Sequence, residues 1–339
     1  MERQQIRGIK DGSAVNSIFL VAEASRQEAK NGPFWKLGLK DMTGSIEARL
    51  WSPAAKEFSG VAEGQYVRVR AKAQSYNGVV QLNIDDVKIV PETEIDPADY
   101  VKTSAIPPER LLSMAMELID SELAYKPWKD FARKVLNDQV IRERFPIAPA
   151  AQSMHHAYRG GLLEHSLSVA RLCLKITDAY PSLDRQLLCV AALFHDIGKL
   201  DEMSVKPGGG TEYTDEGRLI GHLVGGVLKL RPFFRKAKVD GQLALHFEHL
   251  ILSHHGKPEF GAARTPLTAE ALVLHHADDL DAKLAMLKES FDGVERDGGS
   301  AAWSAYMKAF EGSMCAPGRT PEPEIPVLPV TRGTQGSLV

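Results

Sequence analysis

The sequence predicts two domains, a small all-β barrel followed by an all-α helical bundle, and three observations predict it. Between residue 13 and about residue 90, apolar and polar residues alternate in five short runs, the period of half-buried strands. From Pro108 onward, apolar residues recur at helical spacing almost without a break. Between the two lies a stretch, 91–108, with four prolines, several acids and no periodicity. The 339 residues suffice for two separate cores, and 44% hydrophobic with 25% charged residues is ordinary for a globular chain in water. A net charge of −3 gives no global basic signature, so any contact with nucleic acid must be local. Cys173, Cys189 and Cys315 form neither a Cys-x-x-Cys metal motif nor an even disulfide framework, and the first two sit in apolar helical patterns as expected buried thiols. Met1-Glu2-Arg3-Gln4-Gln5 lacks the apolar core of a signal peptide. No apolar run approaches the ~18 residues of a membrane span. A cytoplasmic location without a membrane partner is therefore expected.

The first domain, 1–90, takes its strands from alternation. The first run is near Ile18-Phe19-Leu20-Val21. In 34–40, Trp35, Leu37 and Leu39 share one face and Lys36 and Lys40 the other; after the turn Asp41-Met42-Thr43-Gly44, Ile46, Ala48 and Leu50 continue to Trp51. A short helical stretch, 53–58, precedes 66–74, where Val67, Val69, Ala71 and Ala73 face inward and Arg68, Arg70 and Lys72 outward. Asn77-Gly78 signals a hairpin into Val80, Leu82 and Ile84. Five strands with a helix between the third and fourth predict an OB-type barrel. Such barrels hold single-stranded nucleic acid by stacking bases on aromatics within a basic groove. The candidates are Phe34, Trp51 and Tyr76 with Lys36, Arg49, Arg68, Arg70 and Lys72. The alternative is that the tryptophans cap a core and the cations form an ordinary solvated face. Arg68, Arg70 and Lys72 alternate with no acid between them, which favours a surface that meets phosphate.

After the expected linker, 91–108, the helical domain is assigned to 109–315. Its helices are predicted at 108–126, 127–145, 161–180, 184–197, 216–234, 240–253 and 268–291. Pro207-Gly208-Gly209-Gly210 is expected to be a flexible loop, and the proline-rich tail 316–339, with five prolines from Pro317, is expected to be disordered. Nine of the 11 histidines fall between His155 and His255. The apolar helix 184–197 ends on His195-Asp196, then Ile197-Gly198-Lys199. His165, His222, His254-His255 and Ala277-Asp278-Asp279 lie on other predicted helices, so a bundle could bring them to one cavity. Imidazole with carboxylate suits a divalent transition metal, and the lack of thiolates favours an open, catalytic site over a structural one. Each residue also has a plainer reading. A helix-terminal histidine can be satisfied by a carbonyl, and Lys199 after a glycine is what a helix dipole favours. Asp279 is an alternative to Asp278 as ligand, while Asp279 and Asp281 otherwise read as a solvated or structural face. His155, His156 and His275 are candidates for contacts around the site; His246 and His249 read as packing.

His165, His195-Asp196 and Asp278 resemble the four ligands of the HD superfamily of metal-dependent phosphohydrolases. That resemblance implies that these four bind one ion, that His222 and His254 are the added ligands of two-metal members with Asp196 bridging, and that His255 is a less certain contact. It also implies that Lys199 approaches a substrate phosphate, with Arg159 or Arg218 as further candidates. An OB-type domain carrying Asp41-Met42-Thr43-Gly44-Ser45-Ile46-Glu47-Ala48 ahead of such a domain is similar to the YhaM-type 3′→5′ exoribonucleases. So are His155-His156-Ala157-Tyr158-Arg159-Gly160-Gly161-Leu162-Leu163-Glu164-His165 and Tyr213-Thr214-Asp215-Glu216-Gly217. The resemblance spans residues 13 to 312 or so. It implies hydrolysis of single-stranded RNA, and of DNA as a second substrate, with two ions about 4 Å apart. Manganese is the first expectation, with cobalt or iron as alternatives. The expected partner is a single strand of RNA or DNA, and a homo-oligomer is allowed. The rival readings are a phosphohydrolase of nucleotides or cyclic dinucleotides, and an RNA-binding protein without activity.

Overall fold

In a computed structural model of the chain, the described residues are 4–30, 32–76, 78–96, 99–100, 103–151, 158–205, 211–291 and 301–318. His155, His156, the loop 207–210 and the tail from residue 319 lie outside them. By contacts the chain divides into two units, Met1–Ala282 and Lys283–Val339.

All five predicted strands are present: β1 (Ala14–Ala29), β2 (Gly32–Asp41), β3 (Gly44–Leu50), β4 (Tyr66–Tyr76) and β5 (Val79–Val90), with helix α1 (Ala54–Glu57) between β3 and β4. They close a barrel in the order β1-β2-β3-β5-β4. The β3–β5 pair is parallel and the others antiparallel. The inward residues are those of the alternation, among them Phe19, Leu37, Leu39, Ala48, Leu50, Val67, Val69 and Leu82, all buried. β1 departs most from expectation, running for 16 residues. Its first half pairs with β4 and its second half, 20–29, with β2, with a register shift between Val21 and Glu23. Residues 23–29 are polar, so backbone pairing rather than burial extends the strand there. The middle of the expected linker is not free of the barrel either. Tyr100 is buried edge-on against Tyr66, with ring centroids 4.8 Å apart, beside Leu20 and Val90.

The helical part contains α2 (Pro108–Glu122), α3 (Lys126–Leu136), α4 (Gln139–Arg144), α5 (Gly161–Ala179), α6 (Arg185–Phe194), α7 (Lys199–Glu202), a hairpin of β6 (Met203–Val205) and β7 (Thr211–Tyr213), then α8 (Asp215–Leu219), α9 (Gly221–Ala237), α10 (Gly241–Ser253) and α11 (Ala269–Phe291). Two predicted helices are each split. The 127–145 helix breaks where Asp138 turns to cap α4, accepting from the Ile141 N–H at 3.3 Å. The 216–234 helix breaks at Gly221, whose φ of 74° lies in the left-handed region. The β6–β7 hairpin had no signal in the sequence reading.

α6 is the axis of the bundle. All residues from Leu187 to Phe194 are buried, because this helix is apolar around its whole circumference. Its last residue, Phe194, meets Phe131 at 5.9 Å, and Phe131 stacks on Phe234 at 4.5 Å. Each such side chain contributes about 1.5–3 kcal/mol by burial, so the end of α6 is firmly placed. Asp184 caps its start, accepting from the Leu187 N–H at 2.9 Å. Among the described residues, the second unit holds the end of α11 and a short ribbon of β8 (Ala302–Trp303) against β9 (Cys315–Ala316). No helix among the described residues is long and apolar enough to cross a membrane.

Candidate metal centre and strand-binding face

The polypeptide leaves α6 at Phe194, and the next two residues, His195 and Asp196, are buried at the centre of the bundle. Around them gather His165 from α5, His222 from the first turn of α9, His254 and His255 after α10, and Asp278 from α11. The ligand atoms form two groups, each with its members within 4.8 Å of one another: His165, His195 and Asp278, and Asp196, His222, His254 and His255. Asp196 belongs to both by geometry. Its Oδ2 lies 3.3 Å from His195 Nε2 and 3.7 Å from His165 Nε2. Its Oδ1 lies 3.5 Å from His222 Nε2 and 3.6 Å from His254 Nε2.

All five imidazoles are tethered through Nδ1. His165 donates to Asp281 Oδ2 at 2.7 Å and His222 to Glu202 Oε1 at 2.8 Å. His195, His254 and His255 donate to the carbonyls of Ala192, Ile251 and Phe260 at 2.8, 2.8 and 2.9 Å. Because those oxygens can only accept, each Nδ1 carries the proton and each Nε2 is turned inward as a ligand atom. Asp196 Oδ1 and His254 Nε2 are buried without a hydrogen-bond partner among the described residues. Leaving such atoms unsatisfied costs about 1–3 kcal/mol each, and a divalent cation between them removes that cost. The donor set therefore fits a divalent metal.

The electrostatics agree. Burial opposes ionisation of Asp196, but Lys199 and His195 outweigh it and hold the carboxyl well below the usual range. Asp278 is likewise held low against burial, by hydrogen bonds from His165 and His195. Burial pulls His254 down to about 4, partly opposed by Asp196, and lowers His255 together with the nearby His222. Those two rings are neutral, the form that binds metal. His195 is pushed up to about 10 by Asp196 and Asp278 in spite of burial. In the metal-free chain a proton thus sits among these carboxylates.

Lys199, expected to approach a phosphate, has its Nζ 2.7 Å from Asp196 Oδ2 and is mostly buried. Arg159 and Arg218 are exposed. His275 supports the centre from α11, its Nδ1 donating to the backbone oxygen of His254 at 2.7 Å. His246 and His249 hold the segment before α11, through Thr268 Oγ1 and the Leu267 N–H, each at 3.0 Å. Of the two readings of Asp281, a solvated or a structural face, the structure has the second: it is 8% exposed and fixed beneath His165, where Ser168 Oγ also donates to it. Glu202 was missed altogether, since its partner His222 lies 20 positions away and only the fold brings them together.

On the barrel, Lys36, Arg49, Arg68, Arg70, Lys72 and Tyr76 point outward from their strands and Trp51 follows β3, whereas Phe34, at 8% exposure, is buried. In register across neighbouring strands run Lys36 on β2, Arg49 on β3, Asn83 on β5 and Lys72 on β4. Phe34 stacks on Trp51 at 4.6 Å, and the Arg49 guanidinium lies 5.7 Å from the Trp51 ring. Trp51 and Tyr76 remain 38% and 59% exposed, open to further stacking. Arg68, Arg70 and Lys72 are exposed along β4. The sequence reading missed Glu47, which pairs with Lys36 at 3.0 Å and Arg49 at 2.8 Å and tempers the charge at that end.

Comparison with known proteins agrees with both halves. The HD domain family matches residues 162–283, and a family described as an OB-fold nucleic acid binding domain matches 20–90. A family described as a putative helicase also matches 122–182, a helical stretch overlapping the first of these. The 3′-5′ exoribonuclease YhaM of Bacillus velezensis is 34% identical over 286 residues, covering 84% of this chain and 90% of that protein. Its namesake in Bacillus subtilis matches at the same identity and coverage, and the one in Shouchella clausii is 33% identical over 294 residues, 86% and 90% of the two chains. With nine-tenths of these relatives spanned at that identity, an OB-type barrel before an HD domain in each half's expected place, the chain belongs to the YhaM family of 3′-5′ exoribonucleases.

Proposed function

We propose that the protein is a metal-dependent 3′→5′ exonuclease of single-stranded RNA, with DNA as a second substrate, and that its centre holds two ions. The observation that carries this reading is Asp196, whose two oxygens face two separate histidine groups. Family membership supports the substrate class. Divalent ions, manganese first, would supply Lewis acidity and an activated water for attack on phosphorus. His165, His195 and Asp278 would hold one ion, His222 and His254 the other, and Asp196 both, with His255 within reach of the second.

The chain's own residues do the rest. The tethered rings fix the ligand atoms before substrate arrives, so little reorganisation accompanies reaction. Lys199 balances Asp196 and becomes available to a phosphate oxygen once a cation takes over that carboxylate. The apolar walls of α6 and its aromatic neighbours keep bulk water from the inner side. Trp51, backed by the buried Phe34, and Tyr76 would stack bases while Lys36, Arg49, Arg68, Arg70 and Lys72 follow the backbone.

Digestion of an oligoribonucleotide labelled at its 5′ end, with added Mn²⁺, tests the reading. A ladder shortening from the 3′ end is expected, abolished by Asp196→Ala. Turnover of free nucleotides or cyclic dinucleotides with the oligomer left intact would replace the exonuclease by the phosphohydrolase reading.

A further inference from the structure

Five histidines line the centre, but they are not held alike. Three rest on backbone carbonyls. The other two rest on carboxylates, and there is one in each group: Asp281 under His165 and Glu202 under His222. These acids come from different places in the chain. Asp281 lies one turn beyond Asp278 on α11 and receives Ser168 Oγ on its other oxygen. Glu202 ends α7, and its Oε1 accepts both the ring proton and the backbone N–H of His222, at 2.8 and 3.1 Å. A carboxylate behind an imidazole fixes the ring's tautomer and makes its far nitrogen a stronger donor to a cation.

We propose that Asp281 and Glu202 are positioning residues, each tuning one ion's subsite and leaving the other alone. This rests on the two-ion reading above. Neither acid is among the inward-facing ligand atoms, so each acts through its histidine. The two subsites then differ in their supports. In one, the carboxylate is itself fixed by a hydroxyl; in the other, it also anchors the start of α9. The strength with which each ion is held is thereby set by a separate pair of elements, α5 with α11 and α7 with α9.

The test is calorimetric titration of Mn²⁺ into the metal-stripped full chain, repeated with Co²⁺ followed by visible absorption. The wild type should give two binding events, one lost in His165→Ala and the other in His254→Ala. Asp281→Asn should weaken the first about 10–100-fold and Glu202→Gln the second by a similar factor. The double variant should weaken both events. Melting of the metal-free variants reports folding. Should Asp281→Asn fail to fold, Ser168→Ala removes only the hydroxyl behind it and should weaken the same event more mildly. The proposal is overturned if both acids weaken one event, if neither event changes, or if the wild type binds a single ion. No nucleic acid enters the titration. A chain that binds two ions in this pattern yet leaves RNA intact therefore retires the exonuclease reading and keeps this one.

Discussion

Lys199 shows how a buried charge ties stability to the site. Its ammonium is 2.7 Å from Asp196 Oδ2, with 15% and 2% of the two side chains exposed. Burial alone would lower the lysine's affinity for its proton, but Asp196 more than offsets this and raises it. Removing one member of a buried pair strands the other, at about 3–5 kcal/mol. Lys199→Met should therefore lower the melting temperature of the metal-free chain, and Mn²⁺ should recover much of the loss by supplying the missing positive charge. Hydrolysis should still fall by about 10²–10³-fold with metal present, for want of a cation at the phosphate. Differential scanning calorimetry with and without Mn²⁺ checks the first part. A metal-free variant that melts like the wild type would contradict the assigned pairing. His195-Asp196, His165, His222, His254 and Asp278 were legible because ligand chemistry shows in residue type. Asp281 and Glu202 were not, because their role depends on what folds above them. Asp281 meets a histidine 116 positions away, and no local pattern distinguishes it from the exposed acids of a helix.

Among the elements, strands and helices bounded by burial were readable and those bounded by pairing or caps were less so. The inward residues of β2 to β5 follow the alternation, and α6 was marked by its unbroken apolar run. Residues 23–29 of β1 are mostly polar, and only their partner β2 makes them a strand. The breaks at Asp138 and Gly221 interrupt patterns whose apolar spacing runs straight through them. The close approach of α7 to α9 was likewise invisible. A Cβ at Gly198 would stand 2.1 Å from the His222 carbonyl oxygen and 2.6 Å from the Gly226 nitrogen. Both neighbours are backbone, so neither can swing aside. Gly198→Ala should force α9 outward and carry His222 with it, destabilising the chain by about 1–3 kcal/mol as overpacking does. The same shift should weaken Mn²⁺ binding, which thermal melting and metal titration measure together. If the variant melts and binds as the wild type does, the gap between these helices has slack that the geometry denies.

At the scale of the whole molecule, the division of labour makes a claim that either half alone would not. The sequence already separated a barrel from a helical bundle, and Tyr100 adds that the connecting residues pack against the barrel beside Leu20, Tyr66 and Val90. If the barrel contributes grip and the bundle chemistry, the two can be uncoupled by mutation. Arg68, Arg70 and Lys72 lie exposed along β4, remote in sequence from every metal-centre residue. Each phosphate contact on a single strand adds about 0.7 to the slope of log affinity against log salt. Replacing all three by glutamine should lower that slope by about 2, and should raise KM for a long single strand. The turnover number on a dinucleotide, too short to need the barrel, should stay near that of the wild type. Filter binding across a salt series and steady-state rates on both substrates give these quantities. An unchanged slope would move strand binding off β4, most directly to Lys36 and Arg49 beside Trp51. A fall in dinucleotide turnover equal to that on the long strand would mean that the barrel takes part in the chemistry, and the separation of grip from cleavage would be lost.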